Sequence, residues 1–327
     1  MKSVKTLLGL GVMLCLWPGL VQAEWRITQT IELKAGWNSF YLELKPDDAD
    51  PGVVFAGKPV RQLMTYFPRH SPVDFIQDPD EVPWNKAGWH RWIPPGQRHS
   101  FQTNLHAIQA NQAYLIQCTE PFTLELNGAP KYGPHTWQPN SFNFAGFHVD
   151  ADMMSFESYF TGSRAHAGYL IFSLQNGRWK KTNPADVIVP GKAYWVWCEG
   201  GSDYPGPLEV RLRGRGDALV FPYPNATQKM DIVNRSSGPL SFQVEALPNL
   251  SGDPVVPLSV VKRSEDQERV YEPLTIHAPD SPLESGETQT IRLTVRGEKM
   301  TFTEAESLLK ITDDFGGRFY IPVSAEK

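Results

Sequence analysis

Short runs in which apolar and polar residues alternate, broken by clusters of Gly, Pro, Asn and Asp, recur along most of this chain. The alternation is that of strands with one buried face, because side chains two apart project to the same side. The clearest runs are Ile31–Leu33, Phe40–Leu44, Tyr114–Gln117, Thr123–Leu126, Ala193–Trp197, Leu208–Leu212, Leu240–Val244 and Thr290–Val295. No long stretch keeps a 3.6-residue period, and 28 Pro with 26 Gly punctuate the chain with turns. The pattern predicts an all-β protein with short helical turns only.

The runs are also duplicated. Asn38-Ser39-Phe40 followed by Asp48-Ala49-Asp50 is echoed by Asn140-Ser141-Phe142 followed by Asp150-Ala151-Asp152. Ala113-Tyr114 leading to Cys118 is echoed by Ala193-Tyr194 leading to Cys198. The spacing sets a first β-rich module at 24–130 and a second at 131–214, with 215–327 as a third unit. Measured between these anchors, 102 positions at the first and 80 at the second, repeat one carries 22 extra residues. They fall mostly around Pro68–Trp92. Asp50 before Pro51 predicts a helix cap, since its carboxylate accepts orphan N–H groups and Pro needs no partner there. Asp152 is expected to cap the second copy, which makes the doubled Asp-Ala-Asp a capping device rather than a metal site.

Leu33-Lys34-Ala35-Gly36-Trp37-Asn38, the interior Trp89 and Trp179, the Ala-Tyr strand and the closing Leu-x-Leu runs resemble a GWN-type β-module, a tandem unit of secreted and surface bacterial proteins. Repeat two departs from that motif, with Pro139 in the tryptophan's place and no glycine before it. The resemblance implies an extracytoplasmic β-module and no catalytic residues. In the third unit, turn-strand patterns at Val233–Phe242, Leu283–Val295 and Leu309–Val323 resemble an immunoglobulin-like β-sandwich without paired cysteines or a central tryptophan. Its final strand, Phe319–Val323, is a candidate pairing edge for an assembly partner.

Residues 1–23 carry Lys2 and Lys5, an apolar run from Leu7 to Leu16 and a small-residue end at Val21-Gln22-Ala23. This reads as a signal peptide, with Cys15 inside the discarded segment, and the mature chain is expected to be extracytoplasmic: periplasmic, on the outer surface or secreted. Without Lys2 and Lys5 the balance is 29 basic against 36 acidic residues. That argues against a nucleic-acid partner and against membrane insertion after cleavage.

Chemistry is sparse. HExxH, CxxC, Gly-x-Ser-x-Gly and a phosphate-binding glycine loop are all missing from the sequence, so neither metal nor cofactor is expected. Cys118 and Cys198 hold equivalent positions, and in an oxidising compartment they are candidates for a disulfide tying the repeats, or for two free buried thiols. Trp195 and Trp197 share one strand face, destined for a domain interface or a partner surface. The repeat-one insertion gathers Trp84, Trp89 and Trp92 with Asp78, Asp80 and Glu81, where aromatic faces and carboxylates suit a glycan- or peptide-binding rim. The favoured reading is a non-enzymatic binding or structural protein of the bacterial envelope or cell surface, contacting another surface protein or a glycan. The alternatives are a carbohydrate-active enzyme or its accessory protein, and a subunit of a larger assembly.

Overall fold

The computed structural model describes residues 25–67, 88–133, 135–150, 153–214, 216–224, 226–247, 255–263, 266, 268–301 and 303–327. The leading segment 1–23 with Cys15, and Trp84, Asp78, Asp80, Glu81 and Asp152, lie outside the described residues.

Repeat one contains β1 (Ile27–Leu33), β2 (Gly36–Leu42), β3 (Leu44–Pro46), α1 (Pro51–Val54), β4 (Val60–Tyr66), β5 (Trp89–Trp92), β6 (Gln112–Cys118) and β7 (Phe122–Pro130). Its strands form a sheet in the order β2-β6-β4-β5 and a smaller one in the order β1-β7-β3. The expected strand Phe40–Leu44 is split at Glu43, where the chain leaves one sheet for the other. Ile31, Leu33, Leu124 and Leu126 of the small sheet pack on Phe40, Leu42, Tyr114 and Ile116 of the large one. These are the inward members of each alternating run, so the binary pattern alone builds this core.

Repeat two contains β8 (Ser141–Ala145), α2 (Phe156–Phe160), β9 (Leu170–Gln175), β10 (Arg178–Lys181), β11 (Tyr194–Cys198) and then β12 (Leu208–Leu212). Its sheet runs β10-β9-β11-β8, the counterpart of β5-β4-β6-β2. The strand expected to close the repeat, β12, instead pairs with a strand of the third unit. Trp137, Tyr204, Phe156 and Phe160 pack against Tyr194 and Val196 of the sheet in its place.

The pairing shows that the echoed Asn-Ser-Phe phrase is out of register. Asn38 lies opposite Ile116 and Asn143 lies opposite Val196, so the counterpart of Asn38 is Asn143, not Asn140. The two asparagines do the same work. Each holds the backbone of the preceding turn, Lys34 or Gln138, through both ends of its amide, and each donates to the cysteine on the neighbouring strand, at 3.8 Å to Cys118 Sγ and 3.3 Å to Cys198 Sγ. Phe142, rather than Pro139, takes the place of Trp37, and Ser141 that of Gly36. The caps follow the same offset of 105: Asp50 Oδ1 accepts from Gly52 N at 2.7 Å, and Ser155 accepts from Ser158 N at 3.1 Å. Ser155, not Asp152, caps α2. With 105 positions at β8 and 80 at β11, repeat one carries 25 extra residues, not 22.

The third unit contains β13 (Leu219–Phe221), β14 (Thr227–Asn234), β15 (Phe242–Leu247), β16 (Leu258–Arg263), β17 (Arg269–Pro273), β18 (Ile276–His277), β19 (Thr288–Val295), β20 (Glu304–Asp313) and β21 (Arg318–Glu326). Two five-stranded sheets, β12-β14-β19-β16-β17 and β13-β21-β20-β15-β18, enclose one core that includes Met230, Ile232, Val244, Leu293, Ile311 and Ile321. Both edges are made by chain that passes from one sheet to the other, β12 to β13 and β17 to β18. The final strand is no pairing edge, because β21 lies between β13 and β20.

Candidate functional site

The outer faces of the two repeat sheets meet. Ser39 Oγ donates to Ala193 O and Tyr41 N donates to Gly191 O, both at 2.8 Å. Tyr41, Ala113, Phe144 and Ala193 form a small core between the sheets. Gly146 permits this approach, because a Cβ there would collide with the Tyr41 ring.

The aromatic content of the two faces is unequal. Strand register puts Trp195 between Phe144 and Phe172, and Trp197 between Phe142 and Leu170. Trp179 joins the same face from the edge strand, since its register partner Leu174 is two residues from Phe172. In repeat one the places of Trp195 and Trp197 are held by Leu115 and Gln117. Repeat one covers only part of this aromatic sheet. Tyr66 and Trp89 reach Trp195 with ring centroids at 5.6 and 6.1 Å, and Phe144 stacks on Trp195 at 4.7 Å and 26°. The rest stays open. A cleft of about 710 Å³ is lined by Tyr66, Trp89, Phe142, Phe172, Trp179, Trp195 and Trp197, with Asn140 and Ser141 at its polar end. Phe142 is 44% exposed.

Of the residues expected at a binding rim, Trp89 is in the cleft and Trp92 is not. They are three apart on β5 and so project to opposite faces. Trp89 pairs with Tyr66 on the outer face. Trp92 pairs with Leu63, is 6% exposed and packs on Phe55 at 5.7 Å inside repeat one. Trp84, Asp78, Asp80 and Glu81 fall within 68–87, the segment that joins β4 to β5 and is outside the described residues. Nothing in the sequence marks Tyr66, Phe142, Phe172 or Trp179 as binding residues; the Trp195–Trp197 alternation is the one signal in it that points to this face.

The thiols are free. Cys118 packs in the core of repeat one and Cys198 in that of repeat two, each sealed within its own module, so the candidate disulfide does not form. Burial, opposed by the Asn38 hydrogen bond, pushes the Cys118 thiol up to about 11, and burial likewise raises Cys198. Neither is a nucleophile at neutral pH. Among the described residues, no group of three or more His, Cys, Asp or Glu side chains is placed to hold a metal ion.

A second polar cluster ties the three units together. Glu43 of repeat one, 7% exposed, accepts from Arg318 Nη2 of β21 at 2.7 Å and faces His148 Nδ1 at 3.5 Å. Arg318 Nη1 also meets Asp150 at 3.2 Å, and Lys310 Nζ meets the same carboxylate at 3.6 Å. His148 Nε2 is 2.9 Å from Asn111 Oδ1 and 3.3 Å from the Tyr41 hydroxyl. Burial pushes the Glu43 carboxyl up, but the hydrogen bonds and charges of His148 and Arg318 outweigh it and hold Glu43 below its ordinary value. This cluster is closed and serves as a structural joint.

No family model matches the chain, and no curated protein matches it. Among solved structures, the ASH/PapD-like domain 7 of human CEP192 is 12% identical, covering 37% of this chain and 84% of its own, with a TM-score of 0.23. The periplasmic chaperone SfaE is 9% identical over 36% of this chain and 56% of its own, with a TM-score of 0.22. The Vibrio cholerae VesB protease is 9% identical over 91% of this chain and 99% of its own, with a TM-score of 0.23. These likenesses are too distant to transfer any property. The chain is a multi-sheet, mostly β protein with distant structural similarity to immunoglobulin-like PapD and ASH domains.

Proposed function

We propose that this is a secreted, non-enzymatic binding protein of the bacterial envelope or cell surface, which holds a glycan or another surface protein in the aromatic cleft between its two repeats. The observation that carries the reading is the uncovered half of the aromatic sheet face. Trp195 and Phe144 are covered by repeat one, as a domain interface requires, while Phe142, Phe172 and Trp197 line an open cleft. Concave sites rich in aromatic side chains with a few polar groups are the usual form of a ligand pocket. Tryptophan and tyrosine also dominate the energetics of interfaces. The segment 1–23 supports export of the mature chain.

The test is binding of the purified protein, immobilised, to fractionated envelope material: peptidoglycan, surface polysaccharide and outer-membrane proteins. One fraction is expected to bind the wild type and to lose at least tenfold in affinity for Trp197→Ala. Equal binding of the wild type and of a folded Trp197→Ala/Phe142→Ala variant to every fraction would defeat the proposal.

A further inference from the structure

We infer that the cleft takes an uncharged glycan strand, laid across the face of the repeat-two sheet; this rests on the cleft being the binding site. Three features of the lining lead there. First, none of its nine side chains carries a formal charge. An anionic ligand would bring its charge against aromatic faces with no cationic side chain among these lining residues to pair it, at a desolvation cost that a neutral one avoids.

Second, the cleft has a floor and a wall. Phe142, Trp197 and Phe172 stand on three adjacent strands of one sheet, in the order β8, β11, β9, and the Phe142 and Phe172 rings meet edge to face at 5.8 Å across the middle strand, so the floor is aromatic over the width of three strands. Trp89 and Tyr66 rise beside it from repeat one, with ring centroids 5.5 Å apart. Trp197 makes no ring contact with another aromatic among the described residues, unlike Trp195 beside it, which touches four rings. Its indole is therefore left for a ligand. The free indole of Trp197 fits the apolar face of a sugar ring. An aromatic-lined groove also suits a proline-rich segment, so shape alone does not separate the two and the hydrogen-bonding groups must.

Third, the hydrogen-bonding capacity of the lining is mixed and unspent. The indole N–H groups of Trp179, Trp195 and Trp197 have no hydrogen-bond partner among the described residues, and none is sealed from solvent. The Asn140 amide is likewise unpaired, and its residue sits at φ 50° at the entrance. Ser141 Oγ makes one long contact of 3.4 Å, to Phe142 O. The site thus offers several donors, an amide able to donate and accept at once, and a hydroxyl. Vicinal sugar hydroxyls answer both directions, whereas a polyproline backbone offers carbonyl acceptors alone.

The experiment follows tryptophan emission while the full mature chain is titrated with neutral hexasaccharides (cellohexaose, xylohexaose, chitohexaose), with a charged control (hexagalacturonate) and with a proline-rich decapeptide. At least one neutral hexasaccharide is expected to shift the emission saturably. Trp197→Ala should weaken that binding at least tenfold, and Asn140→Ala should weaken it severalfold. Asn140 is exposed, so Asn140→Ala keeps the test alive if Trp197→Ala fails to fold. Tighter binding of the charged hexamer overturns the neutral-glycan assignment. Binding of the decapeptide alone, lost in Trp197→Ala, overturns the glycan and leaves the cleft as the site. Sugar binding untouched by both substitutions overturns the cleft as well, and no response to any neutral hexamer at millimolar concentration overturns the ligand class.

Discussion

Replacing Arg318 with methionine tests the joint among the three units most directly. The guanidinium bonds Glu43 at 2.7 Å and meets Asp150 at 3.2 Å. Methionine keeps much of the side-chain volume but leaves the Glu43 carboxylate 7% exposed, with His148 at 3.5 Å as the remaining cation candidate. Removing one partner of a buried pair costs about 3–5 kcal/mol, while replacing both costs far less. Arg318→Met should therefore lose about 3 kcal/mol at pH 7.5, and Glu43→Gln/Arg318→Met should recover most of it. The dependence on pH has a definite sign. In the wild type the folded Glu43 carboxyl lies below its unfolded value, so its contribution is complete above the unfolded value and is lost as the pH falls through the folded one. In Arg318→Met the burial penalty is opposed by His148 alone, without the share of the counterweight that Arg318 supplies, and the folded value rises. The deficit of the variant then shrinks on acidification, as Glu43 takes up a proton. Urea melts of the four members of the cycle at pH 7.5 and 4.5 supply the measurement, with near-ultraviolet circular dichroism to follow each unit separately, because a chain of this size need not unfold in one step. Single-variant costs that add to within about 0.5 kcal/mol in the double variant would refute the coupling.

Three further outcomes are expected. Thiol titration of residues 24–327 should find two free cysteines in denaturant without reductant and almost none reacting in the native state; a single disulfide in the oxidised protein would contradict the separate burial of Cys118 and Cys198. His166 is 2% exposed, and burial, with the charge of His135, depresses it to about 4, so the stability it supports is complete above about pH 6.5 and is lost as the pH falls toward 4, at about 1.4 kcal/mol per unit. Burial raises Asp313 to about 6, which works in the opposite sense over the same range, so the informative quantity is the difference between wild type and His166→Gln; a difference constant from pH 7 to 4 would remove His166 from the account. Gly162→Ala should cost several kcal/mol in thermal or urea unfolding, because its Cβ would overlap the Arg235 carbonyl where repeat two meets the third unit, and an unchanged melting profile would mean that this contact is looser than it stands.

Much of the architecture was legible one strand at a time. The runs at Ile31, Tyr114, Thr123, Ala193 and Thr290 are strands with their apolar members inward, because a half-buried strand imposes its period on the sequence that forms it. The Tyr and Cys anchors of the duplication were also sound, since Tyr114 and Tyr194 each bond a backbone N–H five residues upstream. The Asn-Ser-Phe echo misled by three positions. Identity of three residues is a weak constraint beside the hydrogen bonds that Asn38 and Asn143 share, and those bonds cannot be seen before the strands are paired. Trp89 and Trp92 looked alike in composition and were separated only by strand parity, which sends one to the cleft and one to the core.

The sequence by itself determined that the chain is built of strands, that its first two units are copies, and which members of each run face inward; all of these follow from local alternation and spacing. Only the tertiary structure decided that the two copies meet face to face, that repeat two spends its last strand on the sandwich, and that half of an aromatic sheet is left uncovered. Those features depend on which of two equivalent faces another unit buries. Phe142, Phe172, Trp179 and Trp197 come from four different strands, and they become one surface only after strand pairing sets them side by side.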